Sequence, residues 1–164
     1  MLVVYQIEER RPRAFHYSFY KKKRKNNMYP AELTAPMAKD LTDHGFKGLS
    51  TPEEVSDVLD KKEGTVMVVV NSVCGCAAAN ARPGAKLAAQ NEKTPDEMVT
   101  VFAGVDREAT DKARSYMLPY PPSSPSIALF KDGKLVHFLE RHHIEGRTAE
   151  IIAENLKMAF DRYC

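Results

Sequence analysis

The chain has 164 residues, 43% of them hydrophobic and 28% charged, with ten Pro and eight Gly, which is enough for one sizeable core and tight for two domains of roughly 100 to 200 residues each. That composition excludes a collagen-like or wholly disordered chain, and the longest apolar run, residues 66–70, is far short of the roughly 18 residues a spanning helix needs. The net charge of +2 is uneven: residues 1–27 hold eight Lys and Arg against Glu8 and Glu9, a net +6, whereas the remainder holds 16 basic against 20 acidic residues, a net −4.

A mildly acidic body argues against nucleic acid as a partner, because the positive charge would then sit on the folded part among groove-reading residues. The N-terminus turns charged at Glu8 and lacks the apolar stretch of a secretory signal. Three cysteines, two of them one residue apart, suit reactive or metal-binding thiols better than a disulfide framework.

Residues 1–27 show no apolar period, and Lys21-Lys22-Lys23-Arg24-Lys25-Asn26-Asn27 repels itself, so this segment reads as a basic, disordered extension. A second reading starts synthesis at Met28, because purine-only codons for Lys and Arg upstream of a start codon resemble a bacterial ribosome-binding site. A third is a basic tail that touches anionic surfaces. Residues 28–164 read as a single domain.

Residues 31–43 carry Leu33, Met37 and Leu41 at four-residue spacing, which predicts a helix with Pro36 in a long first turn or at a kink, ended by Gly45. Ser50-Thr51-Pro52-Glu53-Glu54 supplies a cap, a proline at or near the first helical position and acidic first-turn residues. That predicts a second helix, with Val55, Val58 and Leu59 inward, stopping near Gly64. Residues 65–70 are β-branched and apolar without alternation, as in a strand covered on both faces. An Ala-rich helix over 77–90 follows, divided or kinked at Pro83-Gly84. Residues 98–103 read as a strand, and residues 106–118 as a helix with Ala109, Ala113, Tyr116 and Met117 available for its buried face. After a Pro-rich link over 119–125, strands at 127–130 and 135–139 form a hairpin around Asp132-Gly133. Thr148 opens a closing helix carrying Ile151, Ile152, Leu156 and Phe160. The order predicts an α/β fold in which two crossovers and a hairpin make one mixed sheet flanked by helices.

Cys74 falls where a buried strand meets a helix start, and free N–H groups with the helix dipole stabilise a thiolate there. A lower thiol pKa raises the thiolate fraction but also reduces nucleophilicity, with a Brønsted slope of about 0.45. The gain in attack is therefore small, and the larger benefit is as a leaving group. Cys76 lies two positions on, about 200° around a helix, so a Cys74–Cys76 disulfide needs a distorted first turn, which Gly75 permits. Such a pair favours exchange or isomerisation over keeping its own bond. Three other readings stay open: two small buried hydrophobes, a redox sensor that forms its disulfide without turnover, and a zinc or copper site built from Cys74, Cys76, His142 and His143.

Strand, Cys-Gly-Cys, kinked helix and Ser124-Pro125-Ser126 together resemble the thioredoxin fold. More narrowly, Val69-Val70-Asn71-Ser72-Val73-Cys74-Gly75-Cys76-Ala77-Ala78, Ala81-Arg82-Pro83, Thr100-Val101-Phe102-Ala103-Gly104, Pro122-Ser123-Ser124-Pro125-Ser126 and Arg141-His142-His143-Ile144-Glu145-Gly146 resemble the bacilliredoxins over residues 28–164. The resemblance implies a thioredoxin-like mixed sheet with two extra N-terminal helices. It implies a cytoplasmic bacterial thiol-disulfide oxidoreductase that takes bacillithiol off S-bacillithiolated proteins, with weak disulfide isomerase activity. Cys74 is then the nucleophile and Cys76 the resolving thiol. Pro125 is cis and faces the motif, with the Ser124 backbone free to pair with an extended substrate. Arg82, Arg141 and His142 are candidate partners for the bacillithiol carboxylates. Bacillithiol enters as a low-molecular-weight co-substrate, with no bound cofactor, no metal, and no nucleic-acid or membrane partner. The chain departs from ordinary thioredoxins in having no Trp, and Val68 stands where they carry a buried Asp, which puts a carboxylate proton relay in doubt. The terminal Cys164 is an idle thiol on a frayed end, a second resolving thiol or a link between chains.

Overall fold

A computed structural model describes residues 28–164. The expectations for residues 1–27, including the extension and the start at Met28, lie outside the described residues.

The elements run α1 (Ala31–Thr42), β1 (Lys47–Gly48), α2 (Pro52–Leu59), β2 (Thr65–Asn71), a π-helical turn (Ala77–Ala81), α3 (Arg82–Ala88), β3 (Glu97–Phe102), α4 (Arg107–Ser115), β4 (Ser126–Lys131), β5 (Lys134–Leu139), α5 (Arg141–Ile144) and α6 (Ala149–Tyr163). They build one five-stranded sheet in the order β1-β3-β2-β4-β5. Strand β3 is parallel to β1 and β2, and β4 is antiparallel to β2 and β5.

Strand β2 is buried along its whole length because its two faces meet two cores. Met67 and Val69 join Leu41, Ala85, Ile152, Leu156 and Phe160 on the side of α1, α3 and α6. Val66, Val68 and Val70 join Val55, Val58, Leu59, Ala109 and Ala113 on the side of α2 and α4. The period of two along a strand makes this division, and burial on both sides removes the polar alternation a half-exposed strand would show.

Local signals act as expected at several ends. Thr51 caps α2 in a capping box with Glu54, Thr148 accepts from the Ile151 amide at the start of α6, and Asp132 and Gly133 both take positive φ in the hairpin turn.

Elsewhere the structure corrects the sequence reading. The Ala-rich helix is not divided: the Arg82 amide bonds the Ala77 carbonyl in a π-turn, and Pro83 falls in the first turn of α3. Pro83 has no N–H for the carbonyl four residues back, and the wider turn accommodates that loss. The step from β3 through α4 is not a crossover to a parallel strand, since β4 returns antiparallel to β2. Helix α2 stops at Leu59, well short of Gly64. Leu33 in α1 and Ile151 in α6 are 47% and 53% exposed, while Thr34 and Ile152 face inward. The two-residue β1 and the single-turn α5 were not anticipated.

The topology sets the site. Strand β2 delivers the chain to Cys74, and β4 begins with Ser126 paired opposite Val70 at that same end. Pro125, just before Ser126 and preceded by a cis bond, therefore reaches the end of the sheet at which the cysteines lie.

Candidate active site

Past Asn71 the chain turns into the helical segment that holds Gly75, Cys76 and the π-turn. The Cys74 carbonyl accepts from the Ala77 and Ala78 amides at 3.1 and 3.3 Å, so Cys74 is the cap of that helix. Its sulfur also takes the Ala77 amide at 3.4 Å, as the oxygen of a capping serine would. The Ser72 hydroxyl donates to the same sulfur at 3.2 Å. Burial pushes the Cys74 thiol up, but the Cys76 thiol, the Ser72 hydroxyl, the Ala77 amide and the Arg141 cation outweigh it and hold the pKa below its ordinary value. Cys76 moves the other way: burial and the Cys74 charge push it up, against a smaller pull from Arg141. The pair thus divides into a more acidic thiol at Cys74 and a less acidic one at Cys76.

Ser72 and Asn71 are contributors that the sequence reading did not single out. Asn71 Oδ1 accepts from the Ser72 amide at 2.9 Å and from Arg82 Nη1 at 3.2 Å, and Asn71 Nδ2 donates to the Met37 carbonyl at 3.1 Å. Arg82 Nε donates to Asp40 at 2.9 Å. A polar chain therefore runs from α1 through Arg82 and Asn71 to the residue that bonds the thiolate. The only advance signal was position, two residues before the cysteine.

The same chain corrects the expectation for Arg82. Its side chain is 7% exposed and engaged by Asp40, Asn71 and the Ser72 carbonyl, so it is neither a surface cation nor open to a carboxylate on a substrate.

Arg141 and Ser124 are brought to Cys74 and line one cleft with it. The Arg141 amide donates to Ser123 Oγ at 2.7 Å and its Nη1 to the Ser124 carbonyl at 3.4 Å, tying α5 to the loop before Pro125. His142 is exposed, outside that cleft's lining, and its ring rests on His143 with centroids 3.8 Å apart. Among the described residues, the grouping of possible metal ligands is Glu140, His142 and His143, so neither thiol joins the histidines. Val68 is fully buried and brings no carboxylate behind the pair.

Cys164 is exposed. Burial and Asp96 push its thiol up, against the Thr65 hydroxyl, Lys131 and Lys93. Those neighbours lie at the start of β2, and seven residues of strand, roughly 20 Å, separate that end from Cys74. Cys164 therefore does not reach Cys74 within one chain. Its amide bonds the Phe160 carbonyl at 2.8 Å, so the chain end is not frayed.

The family model described as disulphide isomerase matches residues 29–164. A bacilliredoxin of Cytophaga hutchinsonii is 60% identical over 134 residues, covering 82% of this chain and 98% of that protein. A bacilliredoxin of Halalkalibacterium halodurans is 52% identical over 136 residues, covering 83% and 94%. Among solved structures, oxidised thioredoxin O2 of Arabidopsis thaliana superposes with a TM-score of 0.51 at 14% identity, over 72% of this chain and 96% of that one, which shows the fold alone. With these likenesses and the Cys74–Cys76 pair at the end of the central strand, the chain belongs to the bacilliredoxin family and is a thiol-disulfide oxidoreductase of thioredoxin-like fold.

Proposed function

We propose that this protein removes bacillithiol from proteins that carry it as a mixed disulfide, with Cys74 as nucleophile and Cys76 as resolving thiol. The observation that carries the reading is the opposite displacement of the two thiols. The thiol beside the open cleft is made more acidic, and its neighbour less so.

The Cys74 thiolate attacks the bacillithiol sulfur. The mixed disulfide breaks, the target's sulfur departs as a thiolate and takes up a proton, and bacillithiol is left bonded to Cys74. Once that charge is gone, the repulsion that held the Cys76 proton is gone too. Cys76 then loses its proton and attacks the Cys74 sulfur, closing the internal disulfide and releasing bacillithiol as a thiol. Two equivalents of a low-molecular-weight thiol return that disulfide to the dithiol and leave as their own disulfide. Alternatively, free bacillithiol attacks the bacillithiol sulfur on Cys74, which leaves bacillithiol disulfide and the Cys74 thiolate. Because a stabilised thiolate is a good leaving group, each bond to Cys74 is made and broken readily. The same property supports weak isomerase activity on protein disulfides.

The target's chain lies extended beside Ser124 and Pro125, Arg141 supplies positive charge on that side, and His142 lies farther off as a candidate contact. The reaction needs no bound cofactor and suits the reducing bacterial cytoplasm.

Intact-mass analysis of turnover on a bacillithiolated model protein tests this. Cys74→Ser is expected to abolish removal. Cys76→Ser is expected to trap bacillithiol on Cys74. Failure of the wild type to reduce the substrate, or trapping on Cys76, overturns the reading.

A further inference from the structure

The cleft that opens beside Cys74 has a volume of about 430 Å³, the size of a small-molecule site. Its wall opposite the thiol is α4, whose Arg107, Thr110 and Arg114 recur at helical spacing on one face and line the cleft, with Arg141 closing the side next to the cysteine. Among the described residues of the lining Asp111 is the one carboxylate, against Arg107, Arg114 and Arg141, an excess of positive charge.

Among the described residues, two buried side-chain atoms of this wall have no partner. Thr110 is 1% exposed, and its hydroxyl is buried without a hydrogen bond; Arg114 Nε is buried without one as well. Arg114 is held only at its other end, where Nη1 lies 3.7 Å from Asp111. Leaving a buried donor unpaired is costly, so two on one helical turn, beside a reactive sulfur, ask for a complement. Both can donate, which calls for an acceptor, and the surrounding guanidinium groups call for a negative one. A carboxylate meets both conditions, being a negative group with two acceptor oxygens.

We propose that this cleft is an anion subsite in which Arg107, Thr110 and Arg114 hold a carboxylate of the small thiol whose sulfur Cys74 attacks. The inference rests on the reading that the substrate is a mixed disulfide with a carboxylate-bearing low-molecular-weight thiol. It moves the binding cations from the buried Arg82 to the face of α4. Specificity follows from placement: the carboxylate is anchored on α4 while the sulfur is presented to Cys74, so the small thiol rather than the target protein ends up on the enzyme.

The two proposals are separable by experiment. Cys74 is alkylated with iodoacetate and with iodoacetamide, reagents that differ in charge, and the ratio of their rates is taken so that changes in thiolate fraction cancel. Arg107→Gln and Arg114→Gln are each expected to lower the iodoacetate-to-iodoacetamide ratio about three- to tenfold, while Arg162→Gln on α6 leaves it unchanged. Malate is expected to protect Cys74 from both reagents in the wild type and less in the variants. The exposed Arg107 keeps the test alive if Arg114→Gln misfolds. An unchanged ratio in folded Arg107→Gln together with no protection by malate overturns the subsite, whatever the turnover of bacillithiolated protein. An Arg-dependent ratio with no such turnover upholds the subsite and overturns the bacillithiol reading.

Discussion

Cys74 draws its charge stabilisation from four kinds of group: the Cys76 thiol, a hydroxyl, a backbone amide and a guanidinium. Of these, the Ser72 hydroxyl can be removed with least disturbance, because its neighbour Asn71 holds the Ser72 amide independently. Ser72→Ala is expected to raise the pH midpoint of Cys74 alkylation and slow the reaction about three- to tenfold at pH 7, with the rate at high pH preserved. A variant equally slow at every pH would place Ser72 in access to the thiol rather than in its charge. The same residue scale explains why Arg82 misleads a reader of sequence. Arginine is a surface type, and its burial here depends on Asp40, which lies 42 positions away. Asp40 is pushed up by burial and pulled down further by Lys86 and Arg82, so its carboxyl sits below the usual range. A depressed folded pKa gives stability that is present above the unfolded value of about 3.9 and is lost as pH falls through the folded one. Asp40→Asn is therefore expected to cost about 1 to 3 kcal/mol at pH 7 and to flatten the loss of stability below pH 4, measured by denaturant titration.

Helices α3 and α6 approach so closely that a Cβ on Gly84 would lie 2.7 Å from Cγ2 of Ile152 and 3.2 Å from the Ala149 carbonyl oxygen. Glycine in a helix normally costs about 1 kcal/mol against alanine, so the contact, not the backbone, keeps it there. Gly84→Ala is expected to destabilise by about 1 to 2 kcal/mol despite its better helix propensity. Denaturant titration checks this, and an unchanged or raised stability would place the reason for the glycine elsewhere. At this scale the sequence was readable wherever a signal was local. The Thr51–Glu54 box, the Thr148 cap, the Asp132-Gly133 turn and the uniform apolarity of β2 each depend on a few adjacent residues. It was unreadable where the cause is distant. A two-residue strand such as β1 has no period to show, and its existence depends on pairing with Val99 and Thr100. The expectation that Pro83-Gly84 would kink the helix assigned to chain stiffness what the structure divides between a π-turn upstream and a packing contact with α6. The cysteine pair and Ser124-Pro125 were legible as motifs; the α4 side of the cleft was not, because unpaired donors appear only when side chains are placed.

In the whole molecule, the charge on Cys74 is a property of the fold, and this couples redox state to stability. Unfolding releases the sulfur from Ser72 and the Ala77 amide, so the reduced protein gains stability from its thiolate only while folded. Closing a Cys74–Cys76 disulfide removes the charge and with it that contribution, and the same linkage makes the disulfide a readily reduced one. The sign with pH follows from the depressed folded pKa of Cys74. Below that value both folded and unfolded chains carry a thiol and nothing is gained. Between it and the unfolded value of about 8.5 the gain develops. Above it the raised Cys76 opposes further increase, because its ionisation is disfavoured in the folded state. Reduced protein is therefore expected to gain on disulfide-closed protein in thermal stability between pH 5 and pH 8. Ser72→Ala should shrink that change, as it weakens the thiolate without touching the disulfide. Melting curves of both redox forms at the two pH values decide the matter. A difference between the forms that is independent of pH would mean that the cysteines are coupled to the fold through packing alone, and that the thiolate is no more stable in the folded chain than in water.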